Sequence, residues 1–309
     1  MRKEFKIIIP KVCPYPLIRI GGDKDGAYLI PDDLEGIKHL FSPGVNKIKN
    51  FEDELAYKYG IISHLCDYTT DLNKLKSSLI SSLQTFDKKW LDPSIFRDNI
   101  SLDDFVDKYA KDPNEDLMLQ IDIEGSEYIN LLSLSEKNLN RFRIIAIEFH
   151  GFKKYYKQRK FKHLVSPTLH KLDQSHICVH AHANNCCGEF IDEESLINIP
   201  DVIELTFLRR DRFYNKKLSD MIIPTFMNKD DIKKNVDILP ELNLNKKWFN
   251  NQFTRSLDKN INNFDIINYK IKFLEIKFLS IFGLTNIHLV RQLSAIKQIL
   301  KKLLGIKNN

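Results

Sequence analysis

The chain has 309 residues, 43% of them hydrophobic, enough for one large domain with its own core plus an appendage. Its formal charge of +6 is unevenly placed: residues 270–309 hold eight Lys/Arg (Lys270, Lys272, Lys277, Arg291, Lys297, Lys301, Lys302 and Lys307) against Glu275 alone. That is +7 for the tail and −1 for the rest. A nearly neutral body argues against a nucleic-acid-binding catalytic domain.

From the N-terminus, MRKEFKIIIPKV has too short an apolar run for a signal peptide, and no stretch reaches the eighteen or so apolar residues that a membrane span needs, so a soluble or peripheral protein is expected. Five cysteines (Cys13, Cys66, Cys178, Cys186, Cys187), an odd number without C-x-x-C spacing, fit a reduced cytoplasmic chain. The adjacent Cys186 and Cys187 read as small buried residues beside a turn.

Strand-like and helix-like segments alternate over the first two hundred residues, the pattern of a βα sheet. Residues 39–45 (HLFSPGV) read as a strand ending at Pro43 and Gly44, residues 50–59 as the helix after it, and residues 61–66 as a second strand closing on Asp67. After a polar stretch, residues 101–110 read as a helix capped by Ser101, and residues 117–123 as a strand that ends in Asp122 and Glu124. Residues 143–150, 176–184 and 202–209 complete the strands. Residues 227–264, rich in Asn, Lys and Asp, read as a linker. Beyond them, apolar residues at helical spacing (Ile296, Ile299, Leu300, Leu303, Leu304) with Lys297, Lys301 and Lys302 around them predict a basic amphipathic helix. It would pack on the domain, or attach to an anionic membrane or a partner protein. The expected division is 1–215, 216–264 and 265–309.

Chemistry is expected at the carboxyl ends of the strands, where open α/β sheets bind ligands. Gly44 and Asp67, 23 positions apart, suit a glycine turn and a ribose-binding acid. The missing G-x-G-x-x-G glycines count against a dinucleotide. In an extended strand i and i+2 share a face, so Glu148 pairs with His150, and His180 with His182 and Asn184. If these strands lie beside the one ending in Asp122, a carboxylate, an imidazole and an amide converge. They would bind a hard divalent cation or supply a general base.

The segments RIGGDKDGAYLIP (residues 19–31), FSPGV followed by FEDELA (residues 41–56), LQIDIEGSEY (residues 119–128), IEFH (residues 147–150) and HAHANN (residues 180–185) resemble the FkbM-type methyltransferases, a class I branch that uses S-adenosylmethionine. The resemblance spans residues 19–211, and IDIEG[SA]E is its most specific part. It implies a Rossmann-like seven-stranded α/β sheet, here with a C-terminal helical extension, and S-adenosylmethionine over its carboxyl edge. By position, Gly44 would line the methionine end, Asp67 would take the ribose hydroxyls and Asp122 would face the transfer centre. Asp25 and Gly26 would help close the pocket. Ser42-Pro43-Gly44-Val45-Asn46 stands where the family has an acidic, glycine-rich loop.

The resulting expectation is an O-methyltransferase acting on a sugar hydroxyl of a surface glycan, or on a nucleotide-sugar or lipid-linked precursor. Asp122, His150 and His182 are its candidate catalytic residues. A magnesium or manganese ion on Asp122, Glu148, His150 and His182 would lower the hydroxyl pKa; without metal, His150 or His182 would be the base. The rival readings are a non-catalytic scaffold that recruits glycan-assembly enzymes through its tail, and a nicotinamide-dependent oxidoreductase. Titrating both cofactors separates the oxidoreductase reading, and tight S-adenosylmethionine binding would count against the scaffold without excluding it.

Overall fold

The computed structural model describes residues 4–213, apart from 9, 12, 23–25, 185–186, 188 and 193–196. The expected linker, the amphipathic tail and the boundary at 215 lie outside the described residues, as does Asp25.

In chain order the elements are α1 (Phe5–Ile8), a hairpin of β1 (Leu17–Ile20) and β2 (Tyr28–Pro31), β3 (Ile37–Pro43), α2 (Asn50–Tyr59), β4 (Ile62–Cys66), β5 (Gln84–Asp87), β6 (Trp90–Leu91), β7 (Asn99–Ile100), α3 (Leu102–Tyr109), β8 (Asp116–Ile121), α4 (Glu127–Ser133), α5 (Glu136–Leu139), β9 (Phe142–Phe149), α6 (Phe152–Tyr156), α7 (Ser166–Ser175), β10 (His176–Ala183), β11 (Glu189–Asp192), β12 (Ile197–Pro200) and β13 (Ile203–Arg209). Local chemistry sets the helix ends. Ser101 caps α3 by accepting from the Asp104 amide at 3.0 Å. Gly60, left-handed at φ 67°, closes α2 with its amide on the Ala56 carbonyl.

Seven strands form one sheet in the order β10-β13-β9-β8-β3-β4-β5. All neighbours are parallel except the two pairs that involve β13, which runs against β9 and β10. The chain builds outward from β3 through β4 to β5, then returns to lay β8 on the other side of β3. The strand order therefore reverses between β3 and β8, and such a switch point opens a crevice beyond the strands' carboxyl ends.

Both faces of the sheet are covered, so the inner strands are apolar throughout. Leu117, Leu119 and Ile121 of β8 join Phe41, Phe105 and Phe142 on one face. Met118, Ile144 and Ala146 join Tyr28, Phe51 and Leu55 on the other, beneath the hairpin and α2. At the amino-terminal edge, Asp116 binds Arg143 and Arg209, and Asp33 behind the hairpin binds Arg143 and Arg212. Among the described residues no helix is long and apolar enough to cross a membrane.

Candidate active site

A cleft of about 640 Å³ lies over the switch point. Its lining falls at successive strand ends: Gly44 after β3, Asp67 after β4, Lys89 after β5, Asp122 after β8, His150 after β9 and Asn184 after β10.

Gly44 is required by close approach. Its φ is +96°, and a Cβ there would lie 1.5 Å from the Asp122 carbonyl oxygen. The Asp122 amide donates to the Pro43 carbonyl at 3.2 Å and the Gly44 amide to that of Cys66 at 3.0 Å, which stitches three strand ends together. Asp67 organises the neighbouring loop: its carboxylate accepts from the amides of Asn46 (3.1 Å), Thr69 (2.7 Å) and Thr70 (3.1 Å). Beside it, the rings of Tyr68 and Trp90 stack with centroids 5.0 Å apart, both partly exposed. Burial pushes the Cys66 thiol up to about 12, so it is not a nucleophile.

Around His150 four carboxylates meet. Nδ1 donates to Glu127 Oε1 at 3.0 Å. Nε2 lies 3.8 Å from Asp122 Oδ1, 3.5 Å from Glu124 Oε2 and 3.7 Å from Glu148 Oε1. Burial opposes a charge on the ring. The Glu127 hydrogen bond, with the charges of Glu127, Asp122 and Glu148, overcomes it and raises the pKa to about 9. These carboxylates therefore favour the protonated ring over the neutral one. Glu127 itself is fully buried. Its Oε1 also accepts from the amides of Ile123 and Gly125, both at 3.0 Å, so one carboxylate holds the loop 122–126 and His150 together. Asp122, Glu127 and His150 each offer a ligand atom within 4.8 Å of the others, a spacing that suits a cation.

A buried polar belt runs under the cleft. Ser42 contacts Glu52 and donates to Gln120 Oε1 at 2.7 Å, and Gln120 Nε2 donates to the Tyr28 hydroxyl at 3.1 Å. Burial raises the Glu52 pKa, and burial with the charges of Asp122, Glu148 and Glu204 holds the Tyr28 phenol well above its ordinary value.

The structure brings Gly44, Asp67, Asp122, Glu148 and His150 to one cleft, but not His182 or Gly26. His182 pairs in register with Glu204, its Nδ1 3.7 Å from that carboxylate, and does not line the cleft. Asn184 lines it instead and donates to Glu148 Oε1 at 3.2 Å. Gly26 lies exposed between β1 and β2. Cys187 is exposed at the cleft and disulfide-bonded, against the expectation of a buried thiol, whereas Cys13, Cys66 and Cys178 are buried and free. Sequence reasoning missed Glu127 as a site residue, whereas Asn184 stands where an amide was expected. The third acid of the quoted IDIEGSE element was the available signal for Glu127.

Residues 38–174 match the family model described as the Methyltransferase FkbM domain. The chain carries an FkbM-type methyltransferase domain. The hairpin, β10, β13 and Asn184 stand outside the segment matched to FkbM. No curated protein matches the chain. Among solved structures, one match is TrmK of M. capricolum in complex with S-adenosyl-homocysteine, at 12% identity and a TM-score of 0.33, covering 87% of this chain and 91% of that one.

Proposed function

We propose that this methyltransferase uses S-adenosylmethionine to methylate an oxygen, a sugar hydroxyl of a surface glycan (capsule or lipopolysaccharide) or of its nucleotide-sugar or lipid-linked precursor. One observation carries the reading: the FkbM segment sets a close-packed glycine turn, a loop-bracing acid and an acid–imidazole cluster around one cleft at the switch point. These residues fit the cofactor. Gly44 would line its methionine end, Asp67 would take the ribose hydroxyls, and the flat faces of Tyr68 and Trp90 suit a purine. When bound, S-adenosylmethionine supplies a methyl group on a strongly electrophilic sulfonium.

The chain's own part is alignment and proton handling. Asp122 would accept the hydroxyl proton as the new bond forms. His150, charged and held by Glu127, would keep Asp122 and Glu148 in place. Asn184 would do the same for Glu148 from the other side.

The spacing of Asp122, Glu127 and His150 favours a second arm, in which magnesium or manganese bound there would lower the hydroxyl pKa. This set replaces the expected one that included Glu148 and His182. Activity lost in chelator and restored by either metal would support it, and full activity in chelator would remove it. The basic tail would attach the enzyme to the inner face of the cytoplasmic membrane or to a glycan-assembly protein. The decisive experiment is mass spectrometry of surface glycans from cells with and without this protein. One missing methyl group is expected, and unchanged glycans would refute the acceptor.

A further inference from the structure

We propose that the methyl acceptor carries a phosphate or pyrophosphate, held by a basic patch of Lys154, Arg159, Lys160 and Lys162 beside the cleft. The inference rests on the sugar-acceptor reading above and narrows it to an activated precursor, nucleotide-sugar or lipid-linked, in place of the finished glycan.

The patch follows His150 directly in the chain. Residues 151–172 hold seven Lys/Arg (Lys153, Lys154, Lys157, Arg159, Lys160, Lys162 and Lys171) and no Asp or Glu, in a chain with 41 acids among 309 residues. A block of like charge this long marks an interaction surface more than an ordinary solvated face, where both signs mix. Packing sorts the run into two faces. Phe152, Tyr155, Tyr156 and Phe161 are buried, and Lys154, Arg159, Lys160 and Lys162 stand exposed around them. Among the described residues none of those four forms a salt bridge. Asp173 of α7 binds Arg210, and the Asp201 carboxylate accepts from the Lys154 amide at 3.4 Å, so neither acid neutralises an ammonium of the patch.

Tyr155 gathers the cations and ties them to the site. Lys154 Nζ lies 5.6 Å and Lys160 Nζ 5.2 Å from the centroid of its ring. The ring is itself held in place: Tyr128 meets it edge to face at 5.8 Å, and a Cβ on Gly151 would lie 3.3 Å from it. Tyr128 adjoins Glu127 and Gly151 adjoins His150, so the ring is anchored on both sides of the Glu127–His150 hydrogen bond. Two ammoniums at one ring repel each other, and an anion bound between them offsets that repulsion. A pyrophosphate suits them because it presents several charged oxygens at once, to two compact ammoniums and to the forked guanidinium of Arg159. Lys154 stands four residues past His150, a backbone span of at most about 14 Å. A hydroxyl in the cleft and a phosphate on the patch can therefore belong to one glycosyl pyrophosphate.

The test is calorimetric titration of the full-length protein, saturated with S-adenosylhomocysteine in chelator, with inorganic pyrophosphate, UDP-glucose and geranyl pyrophosphate. Pyrophosphate should bind, and Lys154→Gln/Lys160→Gln should weaken it about tenfold. Lys297→Gln/Lys301→Gln, in the basic tail, should leave its affinity within about twofold. S-adenosylhomocysteine affinity should stay at the wild-type value in both variants, which shows that they fold. UDP-glucose binding more tightly than pyrophosphate supports a nucleotide-sugar acceptor, and geranyl pyrophosphate doing so supports a lipid-linked one. A wild type that binds S-adenosylhomocysteine but none of the three phosphates overturns the proposal. So does an affinity unmoved by the patch variant, or lost equally in the tail variant. Pyrophosphate that binds only when S-adenosylhomocysteine is left out also overturns it, since the anion then occupies the cleft. Anionic vesicles or duplex RNA held by the patch in place of pyrophosphate would overturn it as well. Failure of S-adenosylhomocysteine to bind the wild type would instead refute the cofactor reading above.

Discussion

Gly44 and Asp122 pack backbone against backbone across the switch point. A Cβ on Gly44 would overlap the Asp122 carbonyl oxygen at 1.5 Å, and φ at Gly44 is +96°. Both facts oppose any side chain there, and neither neighbour is a flexible side-chain tip that could swing away. Gly44→Ala should therefore cost more than about 3 kcal/mol of stability, or force the ends of β3 and β8 apart and abolish cofactor binding. Urea unfolding and cofactor titration of the variant check this. Wild-type values in both would show that the strand ends yield more easily than their contacts indicate.

How much of this was legible in sequence follows from what each segment buries. The helix at residues 50–59 and the inner strands read correctly because their apolar runs and caps are strong: Ser101 caps α3 and Gly60 stops α2. The sheet's edge strand β5 was missed. Gln84–Asp87 is only four residues long with a single buried position, so neither an apolar run nor a clear alternation marks it. His182 was misplaced for another reason. Alternation put it on one face with Asn184, but only Asn184, just past the end of β10, reaches the crevice, whereas His182 lies within the strand opposite Glu204 of β13. Glu127 was hidden because a helix-start acid reads as an ordinary surface charge. Only the fold shows that it is buried and turned toward His150.

Asp67 does two jobs in this arrangement, and two variants separate them. Asp67→Ala removes the acceptor for the Asn46, Thr69 and Thr70 amides as well as the expected ribose contact, and should weaken S-adenosylmethionine binding by about 1 to 3 kcal/mol. Asp67→Asn keeps one acceptor oxygen and should lose less. Unchanged calorimetric affinity in Asp67→Ala would move the ribose contact elsewhere. Asp71, which caps the turn at Leu72–Lys74, is the next carboxylate.

Buried histidines set opposite pH trends in stability. Burial, with the nearby charges of His39 and Lys108, lowers His64 to about 3, and burial lowers His176 to about 4. An unfolded histidine takes its proton near 6.5. These two sites thus favour folding above about pH 6.5, and the protein should lose about 1.4 kcal/mol per site for each unit that pH falls below it. His150, raised to about 9, has the other sign: its contribution is full below about pH 6.5 and is lost as pH rises through about 9. Denaturant unfolding from pH 5 to 10 should therefore peak near neutrality. A flat profile on the acid side would mean that His64 and His176 admit protons in the folded state.

The basic tail is the part of the chain whose role is most separable from chemistry. The candidate motifs end before residue 213, whereas residues 265–309 hold the chain's excess positive charge within a sequence whose apolar spacing predicts an amphipathic helix. Anionic headgroups attract lysines near a bilayer surface by roughly 1 kcal/mol each, and an apolar face adds burial between the acyl chains. Removing residues 265–309 should abolish sedimentation with vesicles of anionic lipid at low salt and leave calorimetric binding of S-adenosylmethionine unchanged. Adding salt to the full-length protein should weaken the same sedimentation, because the headgroup attraction is screened within about a nanometre. If the full-length protein ignores such vesicles, the tail is a protein contact. If the truncated protein no longer folds, the tail belongs to the domain's own core.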